Sequence, residues 1–384
     1  MEPVQLAALF VGIALVASMV SVELGVTVAL LELSLGIVVG NVVDVSSQEW
    51  LDLLAAFASI VLTFLAGMEV DPAYMRRRLG ASLGIGVVSF VGPFVVATAV
   101  AFFVLDWSGR ASLIAGTALS TTSLAVVYAV LVERGLTGSE VGKLLMSATF
   151  VTDLLTAVTL SAIFITPNAW YPLFLAVSVA LILGLPRIAP WFFRRYGDRV
   201  IEPEIKLVFF CLFLLMVLAE AANGHAVLPA FVLGLVMSRH YTEHREEQKR
   251  LRVVAFALLT PFFFIKGGLN VSLGAVGANV GVLVVLLAAK MAPKLAFVHP
   301  LARRADAGHA TFVTLLMSTG LTFGTIASLY GLTSGVIDTT QFSLLVTVVV
   351  LSAIVPTAIA ERWFLPEAAK LSRRRAYQKS EEFV

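Results

Sequence analysis

The residue whose type and position most clearly indicate a functional site is Asp153, a carboxylate in the middle of an apolar run from about 141 to 165. A charge at bilayer depth costs at least a few kcal/mol, so it persists mainly where it faces a cavity, a partner charge or a bound ion. A carboxylate in such a place can hold either a proton or a cation. We therefore interpret Asp153, with Thr152 next to it, as an ion-binding site rather than a hydrogen-bonded residue of a soluble core.

Two hydroxyl-rich stretches interrupt other apolar segments. Hydroxyl groups can satisfy the backbone where a helix is broken, and the carbonyls freed there can coordinate a cation. Two such spans in separate halves of a chain predict a midplane ion site made from inverted repeats. Close packing through small residues is the alternative for each stretch taken alone. The residues concerned are Thr121, Thr122 and Ser123 in the first stretch, and Ser318, Thr319, Gly320 and Thr322 in the second.

Four further charged side chains fall within apolar segments. A lysine in hydrocarbon needs a carboxylate or carbonyl partner, and both Lys266 and Lys290 are candidate charge partners of Asp153. Lys294 is expected to extend to the inner membrane face, because basic residues follow it closely. Glu32 is expected to face the protein interior in a structural or modulatory role.

The composition is that of a polytopic membrane protein. The 384 residues are 59% hydrophobic and 14% charged, whereas soluble domains carry about 25% charged residues. The single cysteine leaves no internal disulfide to stabilise the fold. No phosphate-binding GxxxxGK[ST] loop occurs, so any transport would run on ion gradients. The first residues lack the basic region of a cleavable signal, so the first helix is expected to remain.

About thirteen apolar segments are long enough to cross roughly 30 Å of hydrocarbon. The segment 225–238 is short, and its boundaries are the least certain. The predicted spans are 4–20, 24–43, 51–68, 81–105, 111–132, 141–165, 169–186, 204–222, 225–238, 252–270, 275–297, 310–331 and 340–361.

Basic residues are concentrated in alternate connections. Clusters such as Arg76-Arg77-Arg78, Arg303-Arg304 and Arg373-Arg374-Arg375 all follow odd-numbered spans, whereas the other connections contain only Arg110. Because positively charged loops stay cytoplasmic, we expect the N-terminus outside and the C-terminus in the cytoplasm. An odd number of spans agrees with this orientation.

Several stretches resemble the monovalent cation:proton antiporter family, which includes bacterial sodium/proton exchangers and Kef-type potassium/proton proteins. The similarity covers nearly the whole chain, from about Leu6 to Ala360. The matching stretches are 64–71, which is similar to a FLAGLE-type end of the third span, 120–125 with Glu133-Arg134-Gly135, the span of Asp153, and 230–235.

The resemblance implies an all-α fold of inverted repeats, with two crossing broken helices and a homodimeric assembly. The implied core domain is approximately 51–165 and 252–331, the dimerisation helices are approximately 4–43 and 169–238, and 362–384 is a short cytoplasmic tail. The crossing maps to Thr121–Ser123 and to Ser318–Thr322, with Na⁺ at Asp153. Lys290 matches a Gly-Lys stretch of the family, and many members have a glutamate at the position of Glu32.

The implied activity is secondary antiport of a monovalent cation, Na⁺ or alternatively K⁺ or Li⁺, for H⁺. The resemblance further implies transport by alternating access in the cell membrane, with a role in pH homeostasis. No cofactor, enzymatic activity or nucleic-acid partner is expected. Thr152 stands where several electrogenic members have a second aspartate, which favours electroneutral exchange. The alternatives are a potassium/proton antiporter or Kef-like efflux protein, and an ion channel. An intramembrane enzyme is disfavoured because no His or Cys pair has metal-binding spacing.

Overall fold

The computed structural model describes residues 2–24, 27–43, 48–69, 78–164, 168–197 and 199–366. Arg76, Arg77, Asp71 and the basic tail from Arg373 to Arg375 lie outside these residues. Every regular element in the described part is helical. The helices are α1 (Pro3–Leu24), α2 (Val28–Val42), α3 (Glu49–Met68), α4 (Leu79–Phe103), α5 (Gly109–Ser120), α6 (Leu124–Glu133), α7 (Glu140–Phe164), α8 (Tyr171–Tyr196), α9 (Pro203–Ala221), α10 (Val227–Glu243), α11 (Arg245–Val254), α12 (Thr260–Leu269), α13 (Leu273–Ala278), α14 (Val280–Pro293), α15 (His299–Ala305), α16 (Ala310–Met317), α17 (Thr322–Thr333) and α18 (Thr339–Trp363).

Across the described residues these helices form thirteen spans, as the sequence predicted. α11 continues into α12, and α14 into α15, through five-residue π-helical turns at Ala255–Leu259 and Lys294–Val298. Ten spans are long and apolar enough to cross a membrane, and α2 and α10 are shorter apolar helices. The remaining span, α9, carries three charged side chains within nineteen residues.

Of the span boundaries that differ from the sequence-based prediction, those of the eleventh and seventh spans differ most. The eleventh span was predicted over 275–297, but the separate short helix α13 occupies its start and the span runs from Val280 to Ala305. Asn279 ends α13, with its side-chain amide donating to the Ala275 carbonyl over 2.8 Å. The seventh span, predicted over 169–186, continues to Tyr196, although Pro186 and Pro190 lie inside the helix.

The chain folds into two compact units. The first contains Met1–Ala14, Val45–Ala73 and Ala157–Lys266, and the second contains Leu15–Asp44, Tyr74–Thr156 and Gly267–Val384. The predicted division into a core and dimerisation helices concerns movement and assembly, and it stays a prediction.

In the first unit, α3 and α10 approach each other through two glycines. A Cβ on Gly67 would collide with the Phe231 carbonyl oxygen, and a Cβ on Gly234 would collide with that of Phe64. Glycine at both positions therefore lets the two backbones touch. Gly67 and Gly234 belong to two of the stretches that carry the family resemblance, so those stretches form a single contact.

In the second unit, the span formed by α16 and α17 is almost entirely buried. Around α16 lies an apolar cluster from several helices, which fixes this span among its neighbours. Representative members are Val127, Leu131, Leu145, Val298, Phe312 and Leu316. A Cβ on Gly86 of α4 would lie 2.5 Å from the Val151 Cβ, so α4 and α7 also pack closely.

Candidate ion-binding site

Two spans of the second unit are broken at their centres. α5 ends at Ser120 and α6 begins at Leu124, while α16 ends at Met317 and α17 begins at Thr322. The last carbonyls of a helix have no intrahelical partner, so each break exposes acceptors inside the protein. Both predicted interruptions are confirmed at the predicted residues, except that Thr322 is already the first residue of α17.

The two breaks meet at small side chains. The Thr122 hydroxyl donates to the Met317 carbonyl over 2.8 Å, which joins the end of α16 to the first break. A Cβ on Gly320 would lie 3.1 Å from Thr121 Oγ1, and one on Gly324 would lie 3.0 Å from the Ala118 carbonyl oxygen. Glycine at these positions gives the close approach that a crossing requires.

Lys294 connects both breaks from a third span. Its ammonium group donates to the Met317 carbonyl over 2.7 Å, to the Thr121 carbonyl over 2.9 Å and to Thr122 Oγ1 over 3.1 Å. The Thr122 hydroxyl hydrogen is already donated to the Met317 carbonyl, so Thr122 Oγ1 can only accept from Lys294. All three partners of the Lys294 ammonium are therefore hydrogen-bond acceptors. A lysine supplies three donors only as an ammonium. The geometry therefore fits a charged Lys294 whose donors are all used.

Lys290 lies one helical turn before Lys294 and donates hydrogen bonds to carbonyls at the first break. Its ammonium donates to the Leu119 carbonyl over 3.1 Å and to the Thr121 carbonyl over 3.3 Å. A Cβ on Gly320 would approach Lys290 Nζ to 2.5 Å. Cations are favourable at the negative ends of helix dipoles, and the two lysines occupy the C-terminal ends of α5 and α16.

The expectation that Lys294 extends to the inner membrane face is wrong. Its side chain is fully buried, at 0% exposure, as is that of Lys290. Residues four apart lie on one helix face, so the spacing of these two lysines already indicated a shared environment. The π-helical turn that begins at Lys294 lies at this point of the span, and such turns often occur at functional sites.

Asp153 is buried, at 1% exposure, in α7 of the second unit. It lies within electrostatic range of the Lys294 ammonium, which is also repelled by Lys290. Thr149, one turn before Asp153 on the same face, reaches the Met317 sulfur through its hydroxyl at 3.7 Å. The structure therefore directs this face of α7 toward the end of α16.

The hydroxyl groups of the predicted site are oriented by their own helices. The Ser123 oxygen accepts a hydrogen bond from the Val126 amide over 3.4 Å. Four others donate their hydrogen to an earlier backbone carbonyl, which leaves oxygen lone pairs for another donor or a cation. These donations run from Thr121 to Ala118, from Thr152 to Thr149, from Ser318 to Thr314 and from Thr319 to Leu316, over 2.7 to 3.0 Å.

Two predicted residues have other surroundings. Lys266, in the first unit, forms an ion pair with Asp52 at the start of α3. Its role as a partner of Asp153 stays a prediction, and the structure offers Lys290 and Lys294 beside the breaks. Glu32 is buried in α2 at 1% exposure, and its Oε2 atom has no hydrogen-bond partner in the described part of the protein. Within that part, no group of three or more His, Cys, Asp or Glu residues could hold a metal ion.

The sequence profile of the family described as "Sodium/hydrogen exchanger, transmembrane" matches residues 7–364. The chain belongs to this family. The exchanger is therefore a transporter rather than an enzyme, as the sequence predicted.

Two curated relatives are similar to the exchanger over most of their length. "Probable Na(+)/H(+) antiporter 3" of Methanocaldococcus jannaschii is 24% identical over 362 residues, which are 88% of this chain and 90% of that protein. "Na(+)/H(+) antiporter NhaS4" of Synechocystis is 26% identical over 338 residues, 82% of each chain. The solved structure of the sodium proton antiporter MjNhaP1 from M. jannaschii has the same fold, with a TM-score of 0.70 at 13% identity, covering 95% of this chain and 97% of that one.

Proposed function

We propose that the protein exchanges Na⁺ for H⁺ at Asp153, with K⁺ and Li⁺ as the alternative cations. The observation that carries this proposal is a buried carboxylate on α7 within electrostatic range of an ammonium that joins two broken helices. The names of the curated relatives, which are sodium/proton antiporters, support the same reaction.

Competition at one carboxylate would couple the two ions. Ionised Asp153 attracts a cation, and protonated Asp153 has no charge with which to hold one. The site therefore binds the cation or the proton but not both. If the loaded carboxylate is exposed to each side of the membrane in turn, movement of one ion requires return movement of the other.

The lysines would keep the crossing intact when no cation is bound. The carbonyls of Thr121 and Met317, which a broken helix offers to a cation, are here satisfied by Lys294. The charge of Asp153 is then balanced by an ammonium in the empty site. An entering cation finds the oxygens of Asp153 and of neighbouring hydroxyls as ligands, and it competes with Lys294 for the carboxylate.

We propose that the exchange is electroneutral, with one cation for one proton. Thr152, beside Asp153, donates its hydroxyl hydrogen to the Thr149 carbonyl and cannot ionise in place of a second aspartate. One carboxylate then exchanges one proton for one monovalent charge. The assembly is proposed to be a homodimer in the cell membrane, with the N-terminus outside because basic residues cluster in alternate connections.

The substitution Asp153→Asn tests the reaction. In everted membrane vesicles that carry a pH gradient, addition of Na⁺ should dequench a pH-sensitive dye for the unaltered protein and not for Asp153→Asn. The matched control is Glu140→Gln on the same helix, whose side chain pairs with Arg78 and is 66% exposed. Normal cation-dependent proton movement in purified Asp153→Asn would remove this carboxylate from the mechanism.

A further inference from the structure

A cavity of about 310 Å³ lies between α2, α6 and α18 in the second unit. From α2 it is lined by Thr27, Leu30, Leu31 and Ser34, which have the spacing of one helix face. The lining is therefore a continuous surface of three membrane helices. Ligand cavities in proteins begin at about this size, roughly 300 Å³.

The lining changes from polar to apolar along the helices. Thr27 precedes the first turn of α2, and Glu361 lies in the last turn of α18. Beyond these ends the lining is mainly apolar, with Leu31, Val126 and Ile354 among its residues, and Ser34 and Thr357 add two hydroxyls. Ile354 is 44% exposed, so the cavity wall reaches the outer surface of the unit at the depth of a span. A molecule that fills the cavity needs a polar end beside Thr27 and Glu361 and an apolar chain.

Charged and hydrogen-bonding groups stand at the polar end. Arg134 Nε donates to Glu361 Oε1 over 2.9 Å, and the two side chains are 23% and 22% exposed. Thr27 Oγ1 is buried and has no hydrogen-bond partner among the described residues. The polar end of the cavity is thus lined by one anion, Glu361, whose cation partner Arg134 lies behind it, and by one unsatisfied hydroxyl.

We propose that this cavity binds a phospholipid with a zwitterionic headgroup and a primary ammonium, of the phosphatidylethanolamine type. The phosphate complements Arg134, the ammonium complements Glu361, and the ester carbonyl accepts the Thr27 hydroxyl. One acyl chain follows the apolar lining between α2 and α18. Lipid binding at this cavity does not depend on the exchange reaction. A test of lipid binding is therefore independent of the test of Asp153.

The choice of headgroup follows from the charge pair. Phosphatidylcholine carries the same charges, but its quaternary ammonium has no N–H to donate to Glu361. Phosphatidylglycerol has the phosphate and no cation for Glu361. Phosphatidylethanolamine alone among these three matches both side chains with charge-assisted hydrogen bonds.

The experiment uses the full chain, purified in detergent and stripped of lipid. Each of the three lipids, with identical acyl chains, is added in turn, and the lipid retained by the intact protein is counted by mass spectrometry. The thermal unfolding midpoint is measured in parallel. Phosphatidylethanolamine is expected to be retained at one molecule per chain and to raise the midpoint most. Equal retention of all three lipids, or a preference for phosphatidylglycerol, would overturn the proposal.

Substitutions in the lining test whether the retained lipid binds in this cavity. Ala358→Phe enlarges an exposed residue of the lining and should abolish specific retention. Its control is Val355→Phe on the same helix, at a 48% exposed residue outside the lining, which should retain the lipid. Glu361→Gln should reduce the preference for phosphatidylethanolamine over phosphatidylcholine by about tenfold, the effect of losing one charged contact worth about 1.4 kcal/mol. Unchanged preference in Glu361→Gln, or unchanged retention in Ala358→Phe, contradicts the assignment.

Discussion

Lys294 donates a 2.7 Å hydrogen bond to the carbonyl of Met317, the last residue of α16, and shares that acceptor with Thr122. The same ammonium reaches the Thr121 carbonyl of the other break. One side chain from α14 and its π-helical continuation therefore joins two helix interruptions that are far apart in sequence. The first prediction follows from this connection.

Replacing Lys294 with Met should destabilise the protein more than replacing Lys290. Lys294→Met removes a charged donor from one carbonyl at each break, Thr121 and Met317, at about 1.5–3 kcal/mol for each hydrogen bond to a charged group. Each carbonyl then keeps a weaker or longer donor, Lys290 or Thr122. Lys290→Met removes hydrogen bonds from the first break alone. The thermal unfolding midpoint in detergent measures this order. Lys206→Met, at an exposed lysine of α9, is the control and should leave the midpoint unchanged. A larger effect from Lys290→Met would contradict the central position of Lys294.

Gly320→Ala should impair transport while the protein still folds. The added Cβ would lie 2.5 Å from Lys290 Nζ and must displace that ammonium, which is the end of a flexible side chain. We expect a lower exchange rate and an altered apparent affinity for Na⁺ in proteoliposomes. Gly281→Ala provides the comparison, because no atom lies within 4 Å of its added Cβ. Equal rates for the two variants would show that the position of Lys290 is unimportant for transport.

The hydroxyls at the breaks should contribute to cation affinity. Thr122→Val removes the donor to Met317 and an acceptor for Lys294, and Thr319→Val removes an oxygen from the second break. Each is expected to weaken the apparent Na⁺ affinity by about tenfold, or about 1.4 kcal/mol. Thr122→Ser, which keeps the hydroxyl, should stay close to the unaltered protein. If both valine variants keep the original affinity, these stretches serve packing instead.

Exchange should be insensitive to membrane potential. In proteoliposomes with a Na⁺ gradient, a potential of either sign set by valinomycin and K⁺ should leave the rate unchanged, since one positive charge moves each way. Glu32→Gln should behave in the same way, because its carboxylate lies in α2 rather than in α7 beside Asp153. A rate that depends steeply on potential, or a reversal point at two protons per cation, would show that a second group titrates.

The sequence predicted the fold and the two breaks well because their signals are local. Apolar length defines each span, and runs such as Thr121 to Ser123 mark an interruption within a span. The partners of the lysines were not predictable, because they depend on contacts between distant segments. Lys266 pairs with Asp52, 214 residues away, and the depth of Lys294 depends on how α14 and its π-helical continuation pack against α4 and α16. Nearness to basic residues in sequence was a misleading guide to the depth of Lys294.

The dependence of both breaks on Lys294 also bears on how the chain is completed during synthesis. The Thr121 carbonyl precedes its donor by 173 residues, so α5 and α6 enter the membrane long before α14 is made. Until then the first break lacks its ammonium partner, and an unsatisfied carbonyl in hydrocarbon is costly. The crossing can therefore reach its final hydrogen bonding only after the eleventh span has been inserted. Completion of the crossing is therefore a late event, set by the arrival of the span that carries Lys290 and Lys294.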